Sequence, residues 1–132
     1  MKLITRDTDY ALRAICSIAK RKGKITSVAD LVRELKMPKP FLRKLLQLLS
    51  KEGVLISHKG AGGGFCLAKP PRNIYLVDLV RIFQGPFSLN ECFFKKVKCP
   101  SMKTCALRKK IEIMENYIAS ELESISIASL LK

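Results

Sequence analysis

The stretch TSVADLVRELKMPKPFLRKLLQLLSKEGVLISHKGAGGGFCLAKP, residues 26–70, decides the fold. At its start Val28, Leu31, Val32 and Leu35 recur at helical spacing behind Ser27, a good N-cap with Asp30 three residues on. This predicts a helix of about ten residues, a common length for such an element. A second helix follows after a very short break. Pro38 and Pro40 suit its start, where a missing N–H is no loss, and Phe41, Leu42, Leu45, Leu46, Leu48 and Leu49 form its apolar face. Gly53 stands where a C-terminal cap is expected. Two short helices joined so closely, the second one basic, predict a helix-turn-helix.

The rest of the stretch changes period. Val54, Leu55 and Ile56 favour a strand, Phe65, Cys66 and Leu67 its return, and the glycines of GAGGG allow the backbone between them to turn. A two-stranded hairpin after a helix-turn-helix is a wing. Outward from this unit, Tyr10, Ala11, Ala14, Ile15, Ile18 and Ala19 predict a first helix over 8–20, capped by Thr8 or Asp7, and IYLVDLVRIFQG predicts a helix ended by Gly85 and Pro86. Residues 86–101 are irregular in composition. Beyond them Leu107, Ile111, Met114, Ile118, Leu122 and Ile125 repeat in steps of four and three, a heptad-like seam. Such a seam can fold back on its own core or pair with a second copy; pairing is expected, since DNA readers of this size usually bind as two-fold dimers. The fold class is therefore mainly α, a winged helix-turn-helix domain with a long C-terminal dimerisation helix. The expected division is a winged helix-turn-helix over 1–85, a cysteine-containing loop over 86–106, and the dimerisation helix with its tail over 107–132.

Composition narrows the function. The 132 residues are 48% hydrophobic and 27% charged, as in a soluble globular chain with one core. No apolar run is long enough to span a membrane, and acids stand near the N-terminus where a signal peptide would be apolar, so a cytoplasmic location is expected. Lys and Arg number 25 against 11 Asp and Glu, leaving +14. Self-repulsion of that size is relieved by a polyanion, and double-stranded DNA is the commonest.

From Lys36 to Lys59 the bases Lys36, Lys39, Arg43, Lys44, Lys51 and Lys59 face a single acid, Glu52. Lys39, Pro40, Arg43 and Lys44 fall in the N-terminal half of the second helix of the motif, where a recognition helix meets DNA. Arg43 is the candidate to read a base, because a guanidinium holds guanine in two hydrogen bonds; Lys39 and Lys44 are candidates for phosphate. At the wing tip Gly62 and Gly63 let the backbone approach a duplex, with Lys59 beside them. The loop is no Walker motif, since its glycines precede an apolar strand rather than Gly-Lys-Ser/Thr at a helix start. His58 is the only histidine and has no partner near it in sequence, so neither an enzyme nor a small-molecule substrate is expected.

An odd cysteine count in a cytoplasmic chain argues against a disulfide framework. Cys16 and Cys66 read as packing residues. Cys92, Cys99 and Cys105 lie among lysines and arginines with no acid from 92 to 110, surroundings that favour thiolate. Their spacing, Cys-x6-Cys-x5-Cys, lacks the close pairs of structural zinc sites and suits an iron–sulfur cluster better, though zinc and no metal both stay open.

Together, TDYALRAI near the start, the helix-turn-helix, the wing HKGAGGGFCLAKPP and the three cysteines before a long helix resemble the Rrf-two family of bacterial winged-helix regulators, over nearly the whole chain. The resemblance implies a homodimeric DNA-binding regulator whose promoter binding is controlled by an iron–sulfur cluster, [4Fe–4S] in preference to [2Fe–2S], on Cys92, Cys99 and Cys105. In the iron–sulfur-homeostasis (IscR-like) branch the fourth ligand is a His three residues after the last Cys, where this chain has Arg108, which cannot serve. In the nitric-oxide-sensing (NsrR-like) branch it is an Asp of the partner subunit in a TD-x-ALR motif, matched here by Asp9, a residue that could also cap the first helix. The implied protein is a repressor closer to the second branch. A cluster-free or zinc-binding regulator of the same fold, and an adaptor that uses the winged helix for protein contacts, are the other readings.

Overall fold

The computed structural model describes residues 3–85 and 106–131. Cys92, Cys99 and Cys105, with the whole expected loop up to 105, lie outside the described residues. Helix α1 spans Arg6–Lys20, α2 Val28–Leu35 and α3 Lys39–Lys51; strands β1 (Leu55–His58) and β2 (Gly64–Leu67) follow, then α4 (Leu76–Gln84) and α5 (Ala106–Ser124).

Helix α1 begins two residues earlier than its apolar pattern implies. Thr5, not Thr8 or Asp7, is its N-cap, its hydroxyl accepting from the Thr8 N–H at 3.4 Å. Thr8 is instead buried, and its hydroxyl donates to Gln84 Oε1 at 2.7 Å. The Thr5 cap is a local contact, and Gln84 reinforces it from a distance, its Oε1 also accepting from the Thr5 N–H at 2.9 Å.

Helix α2 starts as its sequence dictates, with the Ser27 hydroxyl accepting from the Asp30 N–H at 3.1 Å. It stops after Leu35 because Lys36 turns left-handed, at φ 54°, and the Lys36 N–H returns to the Val32 carbonyl at 2.9 Å. Lys36, Met37 and Pro38 then swing the chain into α3, with Met37 buried under the turn. Ser17 of α1 donates to Glu34 of α2 at 2.7 Å, and Arg21 reaches the same carboxylate at 3.0 Å. These contacts tie the scaffold helix to the motif.

The core gathers Ala11, Ala14, Ile15 and Ile18 of α1, Leu31 of α2, Leu42, Leu46 and Leu49 of α3, Leu55 and Phe65 of the hairpin, and Ile74 and Leu79 around α4. The strands pair antiparallel with Leu55 opposite Leu67 and Ile56 opposite Cys66. Thr26 adds a short third rung: its N–H and carbonyl both bond Phe65 at 2.8 Å, pinning β2 to the segment before α2. Gly64 permits this approach, because a Cβ there would collide with the Thr26 backbone.

After α5 the chain returns to the body. Ile127 is fully buried in the main core, its N–H bonded to the Ile74 carbonyl at 2.7 Å. Leu122 packs with Leu76 and Val77 of α4, with Ile118 and Ile125 at the margin. The earlier part of α5 is uncovered: Leu107, Ile113, Met114 and Tyr117 are 65%, 68%, 50% and 68% exposed. The seam thus divides, its C-terminal third folded back on this chain and its N-terminal part facing outward.

Candidate nucleic-acid interface

Helix α3 carries two opposed surfaces. Leu42, Leu45, Leu46 and Leu49 are buried, whereas Lys39, Pro40, Arg43 and Lys44 are all exposed. The pairs 39/43 and 40/44 are each one helical turn apart, so the four residues form one stripe on the solvent side. Burial of the leucines orients this stripe, because rotating α3 to hide a lysine would expose a leucine. The stripe lies at the N-terminal end of α3, whose dipole adds positive potential there.

The wing supplies the second element. Lys59 and Gly62 are exposed at its tip, and Gly62 adopts φ +75°. Gly63 is partly covered; a Cβ on it would meet the carbonyl oxygens of His58 and Gly60, so the tight turn itself demands this glycine. The Gly63 N–H closes the turn on the Gly60 carbonyl at 3.0 Å.

His58 is not without a partner. Its Nε2 lies 3.2 Å from Cys66 Sγ, diagonally across the hairpin on the face opposite Phe65. Sequence separation hid this pair, although residues flanking a hairpin turn are natural cross-strand neighbours once the register is known. Cys16, by contrast, is a packing residue whose thiol is pushed up by burial, with Lys20 pulling modestly the other way.

Asp9 lies in the first turn of α1, half-exposed, with Oδ2 3.2 Å from Arg13 Nη2. Thr5 holds the cap position, so Asp9 does not fill it. That turn is gripped by Gln84 at the end of α4: Oε1 accepts from the Thr5 N–H at 2.9 Å and from the Thr8 hydroxyl, and Nε2 donates to the Leu3 carbonyl at 3.0 Å. Nothing local in the sequence signals this clamp. Gln84 thus joins the end of α4 to the turn of α1 that carries Asp9. Arg108, standing where a His ligand would be required, pairs with Glu112 at 3.4 Å. Among the described residues no three His, Cys, Asp or Glu side chains are grouped to hold a metal.

A shallow hollow of about 410 Å³ at the α1–α2 turn is lined by Lys20, Arg21, Lys22, Lys24 and Ile25, cations without an acid or nucleophile. No described helix is long and apolar enough to cross a membrane.

Comparison with known proteins agrees with this geometry. Residues 4–132 match the model of the Rrf2 family, described as iron-dependent transcriptional regulators. An HTH-type transcriptional regulator of Aquifex aeolicus is 32% identical over 124 residues, 92% of this chain and 86% of that protein. The structure of CymR, the global cysteine regulator of Bacillus subtilis, superposes with a TM-score of 0.79 at 25% identity, covering 99% of this chain and 97% of the other. IscR of T. potens superposes with a TM-score of 0.75 at 24% identity, over 99% and 86% of the two chains. The winged helix, the basic stripe and a family match across nearly the whole chain lead to one conclusion: this chain belongs to the Rrf2 family of DNA-binding transcriptional regulators and is not an enzyme.

Proposed function

We propose that this chain is a homodimeric repressor that grips promoter DNA with α3 and the wing and releases it when an iron–sulfur cluster is lost or nitrosylated. The observation that carries the DNA surface is the exposed stripe Lys39, Pro40, Arg43 and Lys44 opposite a fully buried leucine face. In this reading Arg43 reads a base, Lys39 and Lys44 hold phosphate, and Lys59 with Gly62 and Gly63 follows the backbone beside the groove. The uncovered Leu107, Met114 and Tyr117 of α5 are the surface on which two copies pair. The expected organisation into a DNA-binding part over 1–85, a cluster loop over 86–106 and a dimerisation part over 107–132 belongs to the same reading.

Cys92, Cys99 and Cys105 of one protomer and Asp9 of the partner subunit would hold the cluster. Three thiolates and a carboxylate are an acceptable donor set, and the Asp9 carboxylate is half-exposed rather than sealed in the core. The cluster supplies reactivity toward nitric oxide and oxidants. This chain's own residues supply the coupling: Gln84 ties the Asp9 turn to the end of α4, so a change at either end shifts the other.

Anaerobic purification, an absorption spectrum and iron and sulfide analysis test the cluster; a colourless protein with stoichiometric zinc sinks it and leaves DNA binding standing. Binding to a promoter fragment must weaken steeply with salt, whereas a protein adaptor would keep its main affinity. Arg43→Ala should relax sequence preference, and Lys59→Ala should weaken binding to any duplex. If both bind like the parent chain, the DNA surface lies elsewhere. The second reading, a cluster-free regulator answering a small molecule, is favoured by the likeness to CymR, a protein described as a cysteine regulator.

A further inference from the structure

We propose that Arg6 is an additional DNA contact, a phosphate clamp that cation–π contacts hold beside the head of α3. The inference rests on α3 and the wing being the DNA surface, and it adds a residue outside both.

Arg6 is the first residue of α1 and is exposed. Its Cζ lies 5.4 Å from the ring centroid of Phe41, in the first turn of α3, and 5.8 Å from that of Tyr10. The two rings meet edge to face, with centroids 5.7 Å apart and planes at 81°. The guanidinium therefore sits at the junction of α1 and α3, against Phe41, the residue that follows Lys39 and Pro40 in the chain. Among the described ion pairs none involves Arg6, while Arg13, Arg21, Arg33, Arg81 and Arg108 each face a carboxylate.

Two physical points separate this arginine from a merely solvated one. A cation at a helix N-terminus is opposed by the macrodipole, so α1 itself gains nothing electrostatically from Arg6. Cation–π attraction to two rings also restrains the guanidinium at an exposed position, and its planar fork of N–H donors matches two oxygens of one phosphate. A lysine has the charge but lacks the planar fork. The contact would be sequence-independent, on the phosphate strand flanking the groove that α3 enters.

The test uses the full chain and two duplexes, one selected from a random library by the parent protein and one of arbitrary sequence, titrated at several salt concentrations. Arg6→Ala should weaken binding to both duplexes about five- to tenfold per contact near 0.1 M salt, and should lower the log–log salt slope by about 0.9 for each phosphate no longer held. Arg6→Lys should keep the slope and recover only part of the affinity. Should Arg6→Ala fold poorly by near-ultraviolet circular dichroism, Arg6→Gln serves, removing the charge at nearly the same length. An unchanged salt slope in the uncharged variants, with Arg43→Ala and Lys59→Ala still weakened, would overturn the Arg6 inference alone. If all of these variants bind like the parent chain, the underlying DNA-surface reading falls with it.

Discussion

Helix α3 buries Leu42, Leu45, Leu46 and Leu49 to 4% exposure or less, whereas the N-terminal part of α5 leaves Leu107, Ile113, Met114 and Tyr117 at least half exposed. Both helices carry apolar residues at steps of three and four. The difference lies in what stands opposite. Helix α3 is pressed between α1, α2 and the hairpin, so Leu42, Leu46 and Leu49 all find partners within the chain. Helix α5 meets α4 only near its end, through Ile118 and Leu122. Apolar periodicity thus marks a face that must be covered, and leaves open whether this chain or another covers it.

The comparison can be broken where its predicted effects are largest. Leu46→Ala in α3 should cost about 2–5 kcal/mol in a denaturant titration, because the side chain is fully buried and its cavity cannot collapse. A loss below about 1 kcal/mol would mean that α3 is looser than its burial indicates. At the other helix, Tyr117→Ser should leave folding within about 0.5 kcal/mol of the parent, as surface substitutions do. Its effect should appear in sedimentation equilibrium, as dissociation at concentrations where the parent chain stays associated. A fold-stability loss matching that of Leu46→Ala would show that Tyr117 is covered within its own chain.

Two smaller effects sharpen the picture of the anchored side. Thr26 is fully buried with no hydrogen-bond partner for Oγ1 among the described residues, while its backbone carries both bonds to Phe65. Thr26→Val keeps the shape and removes the orphan hydroxyl, so the thermal midpoint should rise, by about 1 kcal/mol in stability terms. A fall would reveal a partner for that hydroxyl. The smallest effect is in acid. The Ser17 hydroxyl, then Arg21, hold the Glu34 carboxyl below its ordinary value, and the Ser27 hydroxyl, then Arg33 and Arg21, do the same for Asp30. Carboxyls lowered by folding add stability that is present at neutral pH and lost as pH falls through their folded-state range. Both are open to solvent, so Glu34→Gln should only slightly flatten the acid limb of a stability–pH profile, and a flattening of the alkaline limb would contradict the assignment.

Much of this molecule is legible residue by residue. Ser27 as cap, the proline-led start of α3, Gly53 at its end and the glycine-bearing wing are local rules, satisfied within a few residues of chain. The stripe Lys39, Pro40, Arg43 and Lys44 was readable for the same reason, since one helix with a leucine face has only one other side. The clamp of Gln84 on Thr5 and Thr8, the contact of His58 with Cys66 and the cation–π contact of Arg6 with Phe41 were not readable. Each joins residues that only packing or strand register brings together, and no composition or period encodes such a meeting.

What the sequence by itself determined is the helix-turn-helix, the wing and the charge that calls for DNA. Tertiary structure alone decided where the seam of α5 divides, that Gln84 clamps the first turn of α1, and that Arg6 joins the head of α3. The reason is physical. Backbone preference and apolar period act over a turn or two, whereas burial and long-range hydrogen bonds depend on which surfaces the whole chain brings into contact.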